Sequence, residues 1–197
     1  MIFDAFERSI HKMKKDDPRV IRTRQIIKDA FRALLKTKGF DAITIKDIAE
    51  RATINRATFY AHYEDKYALL DEIIVQTFEN MLPEQIIQAQ EFTEDICRQF
   101  IELTYNYIVM FSRTCKHTTK SITQQIYSKV KHILYETIKS ILEKKNTAIN
   151  ASINATMISA AIYSAAYYWY ESKFDDNIKQ LTDTVVSFII NGLQADN

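Results

Sequence analysis

Apolar residues recur at three- and four-residue steps along most of this 197-residue chain, which is the period of a helix that buries one face. Only two glycines and two prolines interrupt the pattern. β-Hairpins and glycine-rich phosphate loops need many more turn residues than that. The pattern therefore predicts an all-α protein and argues against nucleotide-binding folds.

The first strongly periodic segment lies between residues 23 and 40. Thr23 is predicted to cap a helix there, and Gly39 is predicted to end it. A weaker amphipathic pattern over residues 2–13 precedes it and is predicted to stop at Pro18. The apolar stripe of the main helix consists of Ile26, Ile27, Ala30, Phe31, Leu34 and Leu35.

A second helix is predicted to begin at Thr44. Asp47 follows three residues later, the spacing at which a side-chain oxygen caps the first free amides and the acid reaches back. Ile45, Ile48 and Ala49 then form one apolar face, so this helix makes about two turns.

A third, very short helix is predicted from Arg56 to His62. Asn55 is a good N-cap for it, and only Phe59 is clearly suited to burial. Two short helices joined by a tight turn, the second of them polar, describe a helix-turn-helix. The second helix of that motif enters the major groove of DNA.

The run TFYAHYEDKYALL, which starts at Thr58, follows the capped helix at a set distance. It resembles the DNA-binding region of the TetR (tetracycline-repressor) family of bacterial transcription regulators, and the resemblance covers residues 22–78. One departure is Thr53, because the family often has glycine there. If that residue needs a positive φ, its β-branched side chain is costly. The matching positions are Thr44, Ile48, Ala49, Ala52, Ile54, Thr58, Phe59, Tyr60, His62, Tyr63, Lys66, Leu69 and Leu70.

The resemblance implies an N-terminal three-helix head and a C-terminal helical domain for ligand binding and dimerisation. We expect an N-terminal extension over residues 1–20 and a helix-turn-helix domain with its linking helix over 21–82. We expect residues 83–197 to form the effector-binding and dimerisation domain that the resemblance implies, with Pro83 at the joint. The role of residues 1–18 stays open between an arm near DNA phosphates and a tail.

Charge is distributed unevenly along the chain. Residues 1–63 contain 14 Lys and Arg against 8 Asp and Glu, a net +6, whereas residues 64–197 contain 12 against 17, a net −5. A basic N-terminal third on an acidic remainder suits a DNA-binding head on a body that does not bind DNA.

The predicted DNA contacts fall into two groups. Basic residues and helix N-termini hold phosphates, and base edges are assigned to Arg56, Ala57 and Tyr60, with Asn55 as a further candidate. Arg56 can bond guanine with two hydrogen bonds, and Ala57 can contact a thymine methyl. The resemblance points to the same positions, Arg56, Ala57 and Tyr60, for base contacts. The phosphate candidates are Thr44, Lys46, Thr58, His62, Tyr63 and Lys66.

Core packing or simple solvent exposure is an alternative explanation for some of these residues. Tyr63 suits the core of the head equally well. Arg22 and Arg24 lie off the apolar stripe and could reach a phosphate, although exposed charge alone explains them equally well.

Long helical patterns fill the rest of the chain, at residues 93–111 and 121–142 and, for the last two helices, at about 151–173 and 176–194. Residues 146–170 carry no charge, but their Asn and Ser content argues against a membrane span. A helix without a charged face is buried on both sides. We therefore expect the last two helices to pair with those of a second copy, as the family does.

An effector, if there is one, is expected to be a small apolar or aromatic molecule held in the C-terminal domain. An activator controlled by a protein partner and a helical carrier of apolar molecules are the alternatives. Catalysis is not expected, since no nucleophile motif, carboxylate pair or metal-ligand spacing stands out, and no cofactor or metal is implied. Cys97 and Cys115 have no metal or redox spacing, and no segment resembles a secretory signal. We therefore expect a reduced, cytoplasmic setting. The candidate wall residues are Phe100, Tyr107, Phe111, Tyr127 and Trp169, with Tyr105, Tyr163 and Tyr167 beside them.

Overall fold

The computed structural model describes residues 17–115, 120–145, 147–173 and 178–194, and within these ranges the chain forms helices and no strand, which confirms the predicted all-α class. The helices are α1 (Pro18–Leu35), α2 (Ile45–Arg51), α3 (Arg56–Tyr60), α4 (Lys66–Glu79), α5 (Glu84–Ile87), α6 (Glu94–Thr114), α7 (Lys120–Leu142), α8 (Ala148–Glu171) and α9 (Ile178–Gln194), with a 3₁₀ turn at Phe40–Ala42.

The described residues divide into two compact units. The first unit comprises residues 17–73 together with 114 and 115, and the second unit comprises the others. The pattern predicted over residues 2–13 lies outside the described residues.

Helix α1 begins five residues before the predicted cap. Asp17 is its N-cap, and the Asp17 side chain accepts a hydrogen bond from the Arg19 amide at 2.8 Å. The prediction that Thr23 starts this helix is wrong, since the Thr23 hydroxyl donates to the Arg19 carbonyl inside α1. Pro18 is the first residue of the helix, a position at which proline loses no hydrogen bond.

The core of the first unit is made by the apolar faces of α1, α2, α3 and the start of α4. Ile26 was placed on the α1 stripe but is exposed. Helix α2 packs against both α1 and α3. The side chains with no exposed surface in this core are Ile27, Phe31, Ile48, Phe59, Leu69 and Leu70.

The turn between α2 and α3 contains a residue in the left-handed region. Thr53 has a φ of 56° and is exposed. Its amide donates to the Glu50 carbonyl, and the Ile54 amide donates to the Ala49 carbonyl at 3.0 Å, so the turn is closed by backbone hydrogen bonds. A β-branched residue in this conformation is strained, as expected from the sequence.

The second unit is built from long helices. Helix α7 packs along α8, and α8 packs against α9. Helix α8 begins three residues earlier than predicted because Thr147 caps it, accepting from the Asn150 amide at 3.4 Å. Helix α6 extends three residues past the predicted end at Phe111. None of the described helices combines the length and apolar character that crossing a membrane requires.

We predict that Thr53→Gly and Thr53→Asn stabilise the protein. The left-handed conformation costs a non-glycine residue about 1–2 kcal/mol, and the flexibility of glycine gives back about 0.5–1 kcal/mol of that gain. A net gain of about 1 kcal/mol should raise the melting temperature by about 2–4 °C. Thr53→Val is the control, because it keeps the branch at Cβ. A rise of the same size in Thr53→Val would contradict the explanation.

Candidate nucleic-acid interface

Helix α3 is held at its N-terminus by one side chain. The Asn55 Oδ1 accepts from the Thr58 amide at 2.7 Å and from the Thr58 hydroxyl at 3.0 Å. Asn55 and Thr58, predicted to contact DNA, are thus used first to cap the helix. This cap satisfies one of the free amides at the start of the helix.

The two sides of α3 differ sharply in exposure. Phe59 is fully buried and packs edge-on against the Tyr60 ring, with centroids 5.7 Å apart. Arg56 and Ala57 are exposed, and Tyr60 is 57% exposed. The three residues predicted to read bases therefore share the accessible side of a helix that one aromatic ring anchors.

The start of α2 carries the capping box expected from the sequence. The Thr44 hydroxyl accepts from the Asp47 amide, and Asp47 accepts from the Thr44 amide at 2.9 Å. Lys38 donates to Asp47 at 2.9 Å, and this bond, with those from Thr44, holds the pKa of Asp47 well below its usual value. Lys46, another predicted phosphate contact, is exposed and lies 3.7 Å from Glu50. Such a surface pair contributes little to stability, so Lys46 can turn toward a phosphate at low cost.

Lys66 has internal partners. Its ammonium group donates to the carbonyl oxygens of Phe40, Asp41 and Ile43 at 3.0, 3.2 and 2.9 Å. The same nitrogen lies 4.6 Å from the centre of the Phe40 ring. Lys66 therefore ties the start of α4 to the segment before α2. Contact with a phosphate stays a prediction, and it has to compete with three carbonyls.

The residues after α3 also face inward. Tyr63 is buried, which favours the alternative that it belongs to the core of the first unit, and burial followed by the charge of Glu72 raises its pKa. Burial, and then the charge of Arg24, lower the pKa of the half-buried His62. Arg24 turns toward these residues, since it donates to the His62 carbonyl at 3.0 Å.

Sequence reasoning missed this inward cluster. Lys28 is buried and Glu72 half-buried, and both interact across α1 and α4. Lys28 was predicted to lie off the apolar stripe of α1, and its burial corrects that prediction. A buried charge needs an oppositely charged partner, and only the packing of α1 against α4 brings Glu72 to it.

Most of the aromatic residues predicted to hold a ligand belong to the core of the second unit. Phe100 and Tyr107 have no exposed surface, and Phe111 is buried beside Tyr107 with ring centroids 6.1 Å apart. The Tyr107 hydroxyl donates to the Ile74 carbonyl at 3.4 Å. These contacts agree with the general rule that aromatic residues at helical spacing pack a core.

Described residues of the second unit line a cavity and an apolar groove. Tyr127 lines a cavity of about 220 Å³ between α7 and α8, where its ring meets Tyr163 edge-on at 4.9 Å. Trp169 is half-buried on α8 and is not part of that cavity wall. The other region is an apolar groove of about 470 Å³ between α8 and α9. The groove is lined by Asn154, Met157, Ile158, Ala161, Phe188, Ile189, Gly192 and Leu193.

Residues 27–73 match the family model for bacterial regulatory proteins of the tetR family. Over 64 residues the chain is 45% identical to YxbF, an uncharacterized HTH-type transcriptional regulator of Bacillus subtilis (strain 168), which covers 32% of this chain and 17% of the relative. It is 39% identical over 70 residues to YdeS, another such regulator of that organism, covering 36% of this chain and 35% of the relative. The chain thus matches well under half the length of either relative.

The likeness to a solved structure extends further along the chain. A TetR transcriptional regulator from Streptococcus agalactiae 2603V aligns over 90% of this chain and 98% of its own, with a TM-score of 0.56 and 18% identity. At that identity the likeness concerns the fold alone.

We predict that Lys66→Met destabilises the first unit by about 1.5–3 kcal/mol, since hydrogen bonds to a charged group contribute about that much. Urea unfolding measures the effect. Lys46→Met is the matched control, because the Lys46 side chain is exposed and such changes stay within about 0.5 kcal/mol. Equal stability of the two variants would show that the three carbonyl contacts of Lys66 contribute nothing.

Proposed function

We propose that this chain, whose residues 27–73 match the family model for bacterial regulatory proteins of the tetR family, is a sequence-specific DNA-binding transcription regulator, and that it acts as a dimeric repressor. The observation that carries the proposal is the exposed side of α3. Arg56, Ala57 and Tyr60 face solvent on a helix whose opposite side is anchored by the buried Phe59. A short, supported helix with a polar outer face is what the major groove admits.

Affinity in this proposal comes mainly from phosphate contacts. Thr44 and Lys46 are exposed at the start of α2, where free amides and a cation favour an anion. Thr58, His62 and Lys66 are each half-buried near α3 and can add contacts at its flanks. Each phosphate neutralised releases counterions, so binding should weaken steeply with salt.

Specificity is assigned to the exposed side of α3. Arg56 can donate two hydrogen bonds to guanine, and the Ala57 methyl can touch thymine. Tyr60 can donate or accept through its hydroxyl at a base edge. Two such helices in a dimer would read successive major grooves, about 34–36 Å apart, and so would prefer a palindromic operator.

Dimerisation through α8 and α9 is supported by apolar surface that the single chain leaves uncovered. Phe188 is 74% exposed, and Ile149, Ile153 and Met157 are exposed at four-residue steps along α8. The apolar groove between α8 and α9 lies beside them. A contiguous apolar surface of this kind indicates an interaction site, and closed two-fold pairing is the commonest way to cover one.

Release from DNA is assigned to a small apolar or aromatic effector in the second unit. The proposed site for the effector is the cavity between α7 and α8, which is lined by Tyr127, Tyr163 and Tyr167. Control requires that the effector bind the DNA-competent and the released arrangements with different affinity. A protein partner acting on an activator, and a carrier of apolar molecules, are the alternatives. A carrier would bind ligand without binding DNA.

We predict that Arg56→Ala strongly weakens discrimination between selected genomic fragments and scrambled duplexes. Losing one bidentate base contact removes about 1–3 kcal/mol of preference. Fluorescence anisotropy titrations at two salt concentrations measure it, with Arg51→Ala as the control that removes an exposed arginine from α2. Unchanged discrimination in Arg56→Ala would remove this residue from the set assigned to base contacts, and wild-type protein that prefers no fragment would overturn the proposed function.

We also predict that Phe188→Asp converts the dimer to a monomer, because a carboxylate would be buried in an apolar interface without a partner. Sedimentation equilibrium should show at least a tenfold increase in the dimer dissociation constant, equivalent to about 1.4 kcal/mol. Ile87→Asp is the control, since Ile87 is equally apolar and exposed but lies on α5. Dimers that persist in Phe188→Asp would place the interface elsewhere.

A further inference from the structure

We propose that Arg24, Lys28 and Glu72 form a charged clamp that sets the direction of α3, and that Arg24 positions the reading helix instead of contacting a phosphate. The clamp joins α1, the segment after α3 and the first half of α4, all within the first unit. This inference rests on the proposed function for its DNA measurements, and a measurement without DNA tests the clamp separately.

Arg24 binds the end of α3 through three kinds of contact. Its Nη1 donates to the His62 carbonyl at 3.0 Å, and its Nη2 pairs with the Glu72 carboxylate. The guanidinium carbon lies 4.4 Å from the centre of the Tyr63 ring. Arginine can make all three contacts at once because its group is planar, carries five donors and stacks on aromatic faces. Both terminal nitrogens of Arg24 therefore donate within the unit, which favours a positioning role over contact with a phosphate.

Glu72 holds two cations, one on each oxygen. Arg24 pairs with Oε2, and the Lys28 ammonium lies 3.3 Å from Oε1. Burial opposes ionisation of Glu72, yet hydrogen bonds and charges from Arg24 and Lys28 outweigh burial and lower its pKa. The side chains of Arg24, Lys28 and Glu72 are only 25%, 7% and 28% exposed. A charge as deeply buried as that of Lys28 is hard to leave unpaired, which favours the arrangement in which Glu72 holds both cations.

Helix α3 needs such an external support. A five-residue helix cannot maintain itself, because isolated helices shorter than about 12–15 residues are marginal in water. Asn55 and Phe59 hold its start and its inner face. At the other end, the His62 and Tyr63 amides both donate to the Phe59 carbonyl, at 2.9 and 3.0 Å. The Arg24 bond to the His62 carbonyl holds that last turn. It thereby helps to fix the direction of the Arg56 and Tyr60 side chains.

The decisive experiment is Glu72→Gln, because a purely electrostatic role and a positioning role predict opposite changes in affinity for the selected fragment. Removing an acid near DNA should strengthen binding to every duplex if only charge matters. The clamp predicts weaker binding to the selected genomic fragment, by about 5- to 150-fold, which is the loss of one well-aimed base contact. Binding to scrambled duplex should stay equal or rise. A Glu72→Gln protein that binds the selected fragment as well as wild type, or better, overturns the clamp.

Glu64→Gln is the matched control. It is the same substitution in the same unit, on an exposed residue just after α3. Its preference for the selected fragment over scrambled duplex should equal that of wild type, with any gain in affinity shared by both duplexes. Loss of preference in Glu64→Gln as large as in Glu72→Gln would overturn the specific role of the clamp.

Arg24→Lys tests the geometry of the clamp while keeping its charge. Lysine has no planar fork, so it cannot hold the His62 carbonyl, Glu72 and the Tyr63 ring together. We expect this variant to lose preference for the selected fragment while the slope of affinity against salt stays unchanged. Wild-type preference in Arg24→Lys, or a salt slope lower by about one unit in Arg24→Gln, would assign Arg24 to charge or to a phosphate.

Amide hydrogen exchange provides the test without DNA. In Glu72→Gln we expect the amides of residues 61–63 to exchange at least tenfold faster than in wild type, while those of α2 stay unchanged. Cooperative thermal unfolding and helical circular dichroism establish whether Glu72→Gln is folded. If Glu72→Gln does not fold, Arg24→Lys replaces it in the exchange measurement. Unchanged exchange at residues 61–63 overturns the clamp. If wild-type protein prefers no DNA fragment, the proposed function fails while this result still decides the clamp.

Discussion

A helix of five residues cannot determine its own direction, and the first unit depends on how that limitation is met. Helix α3 makes too few internal hydrogen bonds to persist by itself. Its start is capped by Asn55, its inner face is held by Phe59, and its last turn is bonded to Arg24. Because these contacts support the helix, the exposed side of α3 is available for contacts outside the protein.

The cations of the first unit differ in how many partners they have inside it. Lys66 and Arg24 are surrounded by carbonyls, rings and a carboxylate, so their charge is used to join segments. Lys46 and Arg56 are exposed, so their charge is available to a polyanion. Exposure, more than residue type, therefore decides which of these cations join segments of the unit and which are available to a partner.

The second unit presents a different constraint, which is excess apolar surface. Helix α8 has no charged residue from its start to Tyr170, and its buried side packs against α7 and α9. Ile149, Ile153 and Met157 still face outward at four-residue steps. A helix with apolar residues on both sides needs partners on both sides, and among the described residues α7 and α9 cover only one side of α8.

Periodicity and capping chemistry predicted the all-α class and the helix-turn-helix, since these depend on contacts within a few residues, but not the ends of α1, which stops at Leu35 and not at Gly39. The Thr44 and Asp47 capping box, the Asn55 cap and the burial of Phe59 all follow from local spacing. The start of α1 was missed because Pro18 was interpreted as a stop, although Asp17 before it makes proline a first helical residue. Tertiary structure alone decided the partners of Arg24, Lys28, Glu72 and Lys66, which lie 23–48 positions away along the chain. Side chains on one helix show no preference in sequence for a distant carbonyl or carboxylate, because only the packed backbone brings those groups within reach.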